Sequence, residues 1–588
     1  MCGIAGIATI DGLDPDSLLL DRLAAALAHR GPDGQGRYLQ NGVGLIQVRL
    51  AIIDLEGGRQ PLHEPRGAVL VGNGEIYNYK ELAADLPDVA FATASDCEPP
   101  LHLWRRAGSG FAQRLRGMYA LAIFDPLTKR LTLSRDPFGI KPLYYAETAK
   151  GFVFASEAQA LVAAGLVEAR ENQKARDELL QLQFTTGAET IFAGIWRLLP
   201  GETLVVDKGR IVERHRLEAL PVGGTASNSH DGFLYELDGV LAESVSFHQR
   251  SDVPYGMFLS GGIDSSALLA LMARLNERPV LAFTAHFPGS SARDERSHAA
   301  RVAKELKAER IDVPFAEADF WHLLPAVAAA MDDPAADYAC LPTFKLAQEA
   351  RKHVKVILSG EGGDELFAGY GRYRQAMRPW PLTRKMRRHG TLDGLGVLRT
   401  DPSFWREGIA SAEREQAFPG RTRLQAAQAV DCADWLPNDL LTKLDRCLMA
   451  HGVEGRVPFL DPLVAAFAFR LPDAMKVHKG LGKWALRRWL DKVLPVAGAF
   501  DKKRGFTVPV GDWIAEKGQA LGPLMAAQPS IQALCRPHEV ENLFRHASRQ
   551  GFAAWTLLFY ALWHGRHMLG QRHQGDVFDC LDAMRCSS

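Results

Sequence analysis

Near residue 207 the hydrophobic pattern of this sequence changes character, and that change excludes one continuous core. Before it, apolar runs of strand length at residues 42–45, 68–71 and 119–124 are punctuated by Gly, Pro and Asp. A helical pattern at residues 17–24 lies among them. Residues 208–231, which include PVGGTASNSHDG, read as a linker. Beyond it, the strand-like run 256–259 leads through a glycine turn into a helical pattern at 265–271, and further strands are expected at 280–285 and 354–358. Strands alternating with helices imply a doubly wound parallel sheet. From about residue 372 helical and loop signals dominate. The expected division is therefore 1–207, a linker at 208–231, a second domain at 232–515 and a helical extension at 516–588. A chain of 588 residues is too long for one core in any case.

Composition removes several function classes. Lys plus Arg and Asp plus Glu both number 69, which is not the basic balance of a nucleic-acid binder. No apolar run approaches the roughly 18 residues of a membrane helix, and the first residues lack the three regions of a signal peptide. The eight cysteines form no CxxC pair, so neither a zinc site nor a disulfide scaffold is expected. Cys580 and Cys586 in the tail FDCLDAMRCSS are a candidate for pairing or for binding a ligand. A cytoplasmic enzyme fits these features.

Cys2 follows Met1 and precedes a small residue. Removal of Met1 places nucleophile and base in one residue, a thiol near ~8.5 beside an α-amine near ~7.7–8.0. Arg49 in QVRLAIID is suited to grip a carboxylate bidentately. Asn73 and the Gly74 amide in VGNGEIYN are suited to an oxyanion. Asp96 is able to pair with an α-ammonium. A thiol beside a cation and an anion describes a glutamine pocket.

MCGIAG, His29-Arg30-Gly31-Pro32-Asp33, Arg49-Leu50-Ala51-Ile52, Asn73-Gly74-Glu75, Ser95-Asp96 and the run from Arg135 to Tyr144 together resemble the class II glutamine amidotransferase domain. The resemblance implies an αββα N-terminal-nucleophile hydrolase sandwich. It also implies a γ-glutamyl thioester on Cys2, with glutamine held by Arg49, Leu50, Ile52, Asn73, Gly74, Glu75 and Asp96.

In the second domain, Leu259-Ser260-Gly261-Gly262-Ile263-Asp264-Ser265-Ser266 follows a strand and opens a helix. Its glycines admit phosphate to the backbone, free amides at the helix start point at it, and Asp264 is suited to a magnesium ion. The GxxxxGK[ST] loop of γ-phosphoryl transfer is absent. SGGIDSS resembles the pyrophosphate loop of ATP pyrophosphatases, which cleave ATP between its α and β phosphates. By that resemblance Ala285 falls at the adenine pocket. Ser359-Gly360-Glu361-Gly362-Gly363-Asp364-Glu365 resembles the signature of asparagine synthetases, as do His451 to Asp461, Lys483 and Lys503. The family implies nucleotide contacts at Leu259, Ser260, Gly261, Gly262, Asp264, Ser265, Ala285, Ser359 and Gly360. It further implies metal ligands Asp264 and Asp364, and catalytic roles for Cys2, Asn73, Gly74, Glu361 and Lys483.

The resemblance implies ATP and Mg2+, an acyl-adenylate, and ammonia passed internally between two sites. The expected partners are glutamine, ATP and a carboxylate acceptor, with a homodimer compatible and neither nucleic acid nor membrane involved. Aspartate is the expected acceptor. A sugar acid or a peptide is the alternative, because residues 333–341 carry no arginine before Pro342. Arg456 or Lys503 is expected to supply the missing cation.

Overall fold

The structure is a computed structural model that describes residues 2–288, 296–379, 385–501, 508–572 and 574–585. Lys503 and Cys586 lie outside the described residues. The first half carries β1 (Gly3–Thr9), β2 (Gly34–Gln40), β3 (Val43–Arg49), β4 (Leu62–His63), β5 (Val69–Ile76) and β6 (Gly117–Asp125). It continues with β7 (Arg130–Arg135), β8 (Tyr144–Glu147), β9 (Gly151–Ala155), β10 (Trp196–Arg197), β11 (Glu202–Asp207) and β12 (Arg210–Arg216). They form two antiparallel six-stranded sheets, ordered β10-β8-β9-β1-β3-β2 and β12-β11-β7-β6-β5-β4.

Period-two alternation separates the layers. Along β1, Ile4 and Ala8 enter the core between the sheets, joined by Leu45, Val71 and Phe124. Ala5 and Ile7 face the other way, onto Leu20, Leu23 and Leu27 of the helix Ser17–Leu27. The outer face of the second sheet, with Leu70, Tyr119 and Ile123, is covered by Leu101 and Trp104 of the helix Glu98–Ala107. The result is the expected αββα sandwich.

Strand β12 lies inside the stretch read as a linker. Gly209 adopts a left-handed turn, with φ +68, that folds β12 back onto β11. The next regular element is the helix His230–His248.

The second sheet region contains β13 (Tyr255–Phe258), β14 (Leu281–His286), β15 (Glu309–Pro314), β16 (Val356–Leu358) and β17 (Glu454–Arg456). All are parallel, in the order β15-β14-β13-β16-β17. The sequence pattern finds β13, β14 and β16. It misses β15 and β17 because these edge strands are polar, and Glu454-Gly455-Arg456 offers no apolar run. The strand order reverses between β13 and β16, and ligands of open α/β sheets bind beyond the carboxyl ends of the strands at such a point.

The C-terminal helices share this domain's core. Trp555 and Trp563 of the helix Gly551–His567 are fully buried and donate to the carbonyls of Ala336 at 2.6 Å and Met331 at 2.8 Å. The seven described cysteines are free and buried. No described helix is long and apolar enough to cross a membrane.

Candidate active sites

Cys2 enters β1 where the two sheets of the sandwich meet, and it is only 8% exposed. Asn73 on β5 accepts from the Cys2 backbone N–H at 3.1 Å through Oδ1. Its Nδ2 is buried and has no hydrogen-bond partner, a donor left available beside the thiol. Gly74 has φ +147, and a Cβ there would stand 2.0 Å from the Met118 carbonyl oxygen, so only glycine fits.

The charged groups around the thiol are under strain from burial. Desolvation raises the Cys2 thiol above its ordinary value, and the Arg49 guanidinium pulls against it. Asp96 accepts from Ile76 N–H at 2.7 Å, yet burial still lifts its carboxyl to about 6. Glu75 is driven well above the carboxylate range by burial and by Glu454 and Asp96. A bound ammonium would relieve both acids.

Arg49 donates to the carbonyls of Ile53, Asp54 and Leu55 at 3.2, 2.6 and 2.9 Å. Ile53 and Gly58 help line a space of about 20 Å³ beside the thiol, enough for a water and too small for an amino acid. Cys2, Arg49, Leu50, Ile52, Gly74, Glu75 and Asp96 line that space, with Asn73 holding Cys2 from behind.

The other site lies at the switch point of the parallel sheet. The loop after β13 turns on Ser260, whose Oγ accepts from Gly262 N–H at 3.1 Å and meets Ser265 Oγ at 2.9 Å, and then starts the helix Ile263–Leu275. The loop after β16 presses against it: a Cβ on Gly360 would lie 3.0 Å from Asp264 Cβ. Asp264 and Asp364 converge on the Lys483 ammonium, with Asp364 Oδ1 at 2.7 Å. Against burial, these two carboxylates hold Lys483 above its ordinary value.

A cavity of about 510 Å³ opens here. Ser260, Gly261, Gly262, Asp264, Glu361, Asp364 and Lys483 line it, while Leu259, Ser265, Ser359 and Gly360 stand behind the lining. Ala285 pairs with Val313 on β15 and is outside the lining. Burial raises the Glu361 carboxyl, and Lys443 lies 3.8 Å away. Asp264 and Asp364 are among the carboxylates that line the cavity, and the described residues hold no group of three His, Cys, Asp or Glu suited to a metal. That donor set fits a magnesium ion that takes its remaining ligands from phosphate and water.

Arg456 does not supply the acceptor cation. It is fully buried at the end of β17, donating to Glu454 at 2.6 Å and to the carbonyls of His248 and Arg250, with Glu75 of the thiol site 3.5 Å away. The cavity lining also includes Arg387, Trp435, Asp439 and Lys443, none of which lies in a motif. Trp435 and Asp439 sit on a π-helical stretch, Asp431–Leu441, that contains Pro437. Such windings recur at functional sites, but only the proline hints at this one in the sequence.

The two sites are joined by buried charge. Arg30 is completely buried and donates to the Cys2 carbonyl at 3.2 Å, to Glu157 at 2.7 Å and to both oxygens of Asp445 at 2.8 and 3.1 Å. Asp445 stands two residues after Lys443 on the helix Thr442–Met449. One short helix therefore borders both the cavity and the thiol's support.

The chain matches the family model "Asparagine synthase" over residues 236–565 and "Glutamine amidotransferase domain" over residues 1–216. A putative glutamine-hydrolyzing asparagine synthetase of Mycobacterium tuberculosis H37Rv is 35% identical, with 96% of this chain and 97% of that one covered. The glutamine-hydrolyzing asparagine synthetase 1 of Bacillus subtilis 168 is 30% identical, with 96% of each chain covered. A Gibberella zeae protein named Amidase chry2 is 27% identical over 81% of this chain and 84% of that one. With both modules matched and near full-length relatives at 30–35% identity, this chain belongs to the glutamine-hydrolysing asparagine synthase family.

Proposed function

We propose that this enzyme transfers the amide nitrogen of glutamine to a carboxylate that it first activates with ATP, and that the carboxylate is aspartate. The observation that carries the reading is the helix Thr442–Met449. Its Lys443 faces the cavity, and its Asp445 holds the arginine bound to the Cys2 carbonyl.

At the first site, loss of Met1 frees the Cys2 amine to take the thiol proton. The thiolate attacks the glutamine amide carbon. Asn73 Nδ2 and the Gly74 N–H stabilise the oxyanion, while Arg49 and Asp96 hold the α-carboxylate and α-ammonium. Ammonia leaves, and water releases glutamate from the thioester. The space beside the thiol has to widen for glutamine to enter.

At the second site, an acceptor carboxylate oxygen attacks the α-phosphorus of ATP held by Ser260, Gly261 and Gly262. Pyrophosphate departs against Lys483. A magnesium ion held by Asp264 and Asp364 would offset phosphate charge when bound. Ammonia arriving from the thiol site adds to the acyl carbon, Glu361 takes the proton it sheds, and AMP leaves. Travel inside the protein keeps ammonia unprotonated until it is used.

The test is amide-15N glutamine with ATP, Mg2+ and aspartate. Labelled asparagine equal to the glutamate formed is the expected result. Label found only in the amide of a uronic acid or peptide would overturn aspartate and leave the two-site chemistry standing. That second reading rests on the missing arginine between Asp333 and Pro342, where Arg197 instead binds Asp333 at 2.6 Å for structure.

A further inference from the structure

The lining of the 510 Å³ cavity contains two groups with unsatisfied bonding capacity. Arg387 lies against the rings of Phe184 and Trp435, both at 4.9 Å, and its Nε and Nη2 are buried without hydrogen-bond partners. No ion pair to Arg387 occurs among the described residues, whereas the neighbouring Arg372 is bound to Asp431 at 2.6 Å. Asp439 is only 7% exposed. Its Oδ2 accepts from Trp435 Nε1 at 2.6 Å, and its Oδ1 is buried with no partner. The third charged group, Lys443, is already answered by Asp337 at 2.8 Å and Glu361 at 3.8 Å.

A buried cation and a buried carboxylate, each short of a partner and both facing one cavity, are costly alone and are satisfied together by a zwitterion. Ser260, Gly261 and Gly262 of the nucleotide loop line the same cavity. We propose that Arg387 and Asp439 are the specificity-determining residues that read the α-carboxylate and α-ammonium of the aspartate acceptor. This rests on the amide-synthesis reading and assigns it residues. Arg387 takes the place of the cation missing before Pro342. A uronic acid offers Asp439 Oδ1 hydroxyl donors but no cation.

Two analogues separate the readers. Succinate is aspartate without the ammonium, and β-alanine is aspartate without the α-carboxylate. Pyrophosphate release with ATP and Mg2+ is measured for all three acceptors and for glucuronate. In the wild type, kcat/KM for aspartate exceeds that for either analogue by about 100-fold or more. Asp439→Asn brings the aspartate-to-succinate ratio to within about tenfold and leaves most of the aspartate-to-β-alanine ratio. Arg387→Met does the reverse, and Arg387→Lys recovers part of the loss.

Equal use of aspartate and succinate by the wild type overturns the proposal without any variant. So does a preference for glucuronate, or a uniform loss across all acceptors in both variants. No pyrophosphate with any acceptor, by an enzyme that still hydrolyses glutamine, defeats the amide-synthesis reading itself and this inference with it.

Discussion

Replacing Arg30 with Met removes the cation at the centre of the contact between the two sites. Its side chain is wholly buried, and those of Asp445 and Glu157 are 3% and 7% exposed, so water cannot replace it. Asp445 keeps Arg446 at 2.9 Å and Glu157 keeps His29 at 3.0 Å, which softens the loss. Breaking a buried pair costs 3–5 kcal/mol, and with these residual partners the lower end, about 3 kcal/mol, is expected. The loss is read from the first unfolding transition in urea. Removing the stranded charge in the double variant Arg30→Met, Asp445→Asn should recover part of it.

The pH dependence follows from the same pair. Arg30, against burial, holds Asp445 below its ordinary value. That stabilisation is present above the unfolded pKa and is lost as pH falls through the depressed folded value. In Arg30→Met the folded value rises, so acid destabilisation attributable to Asp445 changes in that direction. Because Arg30 also donates to the Cys2 carbonyl, amide formed per glutamate released should fall below one. A cost under about 1 kcal/mol together with unchanged coupling would refute the assignment.

Cys2→Ala should abolish glutamine-dependent synthesis and retain ammonia-dependent synthesis, and equal loss of both would contradict two separate sites. Asp264→Asn should suppress pyrophosphate release, and undiminished conversion of ATP to AMP would mean the loop is misassigned. Gly74→Ala should prevent glutaminase activity and destabilise the sandwich, since its Cβ would lie 2.0 Å from a carbonyl oxygen. Burial lowers Lys476 to about 7, so between pH 7 and the usual lysine value the unfolded chain binds the extra proton and stability rises with pH. Lys476→Met should flatten that rise in denaturation measured at pH 7 and pH 10, and an unchanged slope would contradict it.

Both layers of architecture are legible in the sequence where burial leaves a pattern. β5, β6, β13 and β16 are apolar runs, and their loops carry the glycines that close packing demands. β15 and β17 are not legible because they are polar edges. Cys2 and Asn73 at one site, and Asp264 and Lys483 at the other, stand in motifs and meet in space. Arg387, Asp439 and Lys443 stand in none, because the lining they form is assembled from segments about 40 to 60 residues apart or wound irregularly around Pro437. Arg456 shows the opposite case. Its motif position suggested a ligand cation, but its surroundings, Glu454, two carbonyls and Glu75, make it part of the boundary between the sites.

The central claim is that a carboxylate is activated by bonding to the α-phosphorus of ATP before ammonia reaches it. Aspartate carrying 18O in its side-chain carboxylate, incubated with glutamine, ATP and Mg2+, tests this in one experiment by mass spectrometry of the nucleotide. The account predicts one 18O atom in each AMP, unlabelled pyrophosphate, and one 18O retained in each asparagine. Label in inorganic phosphate with ADP as product, or unlabelled AMP, would contradict it.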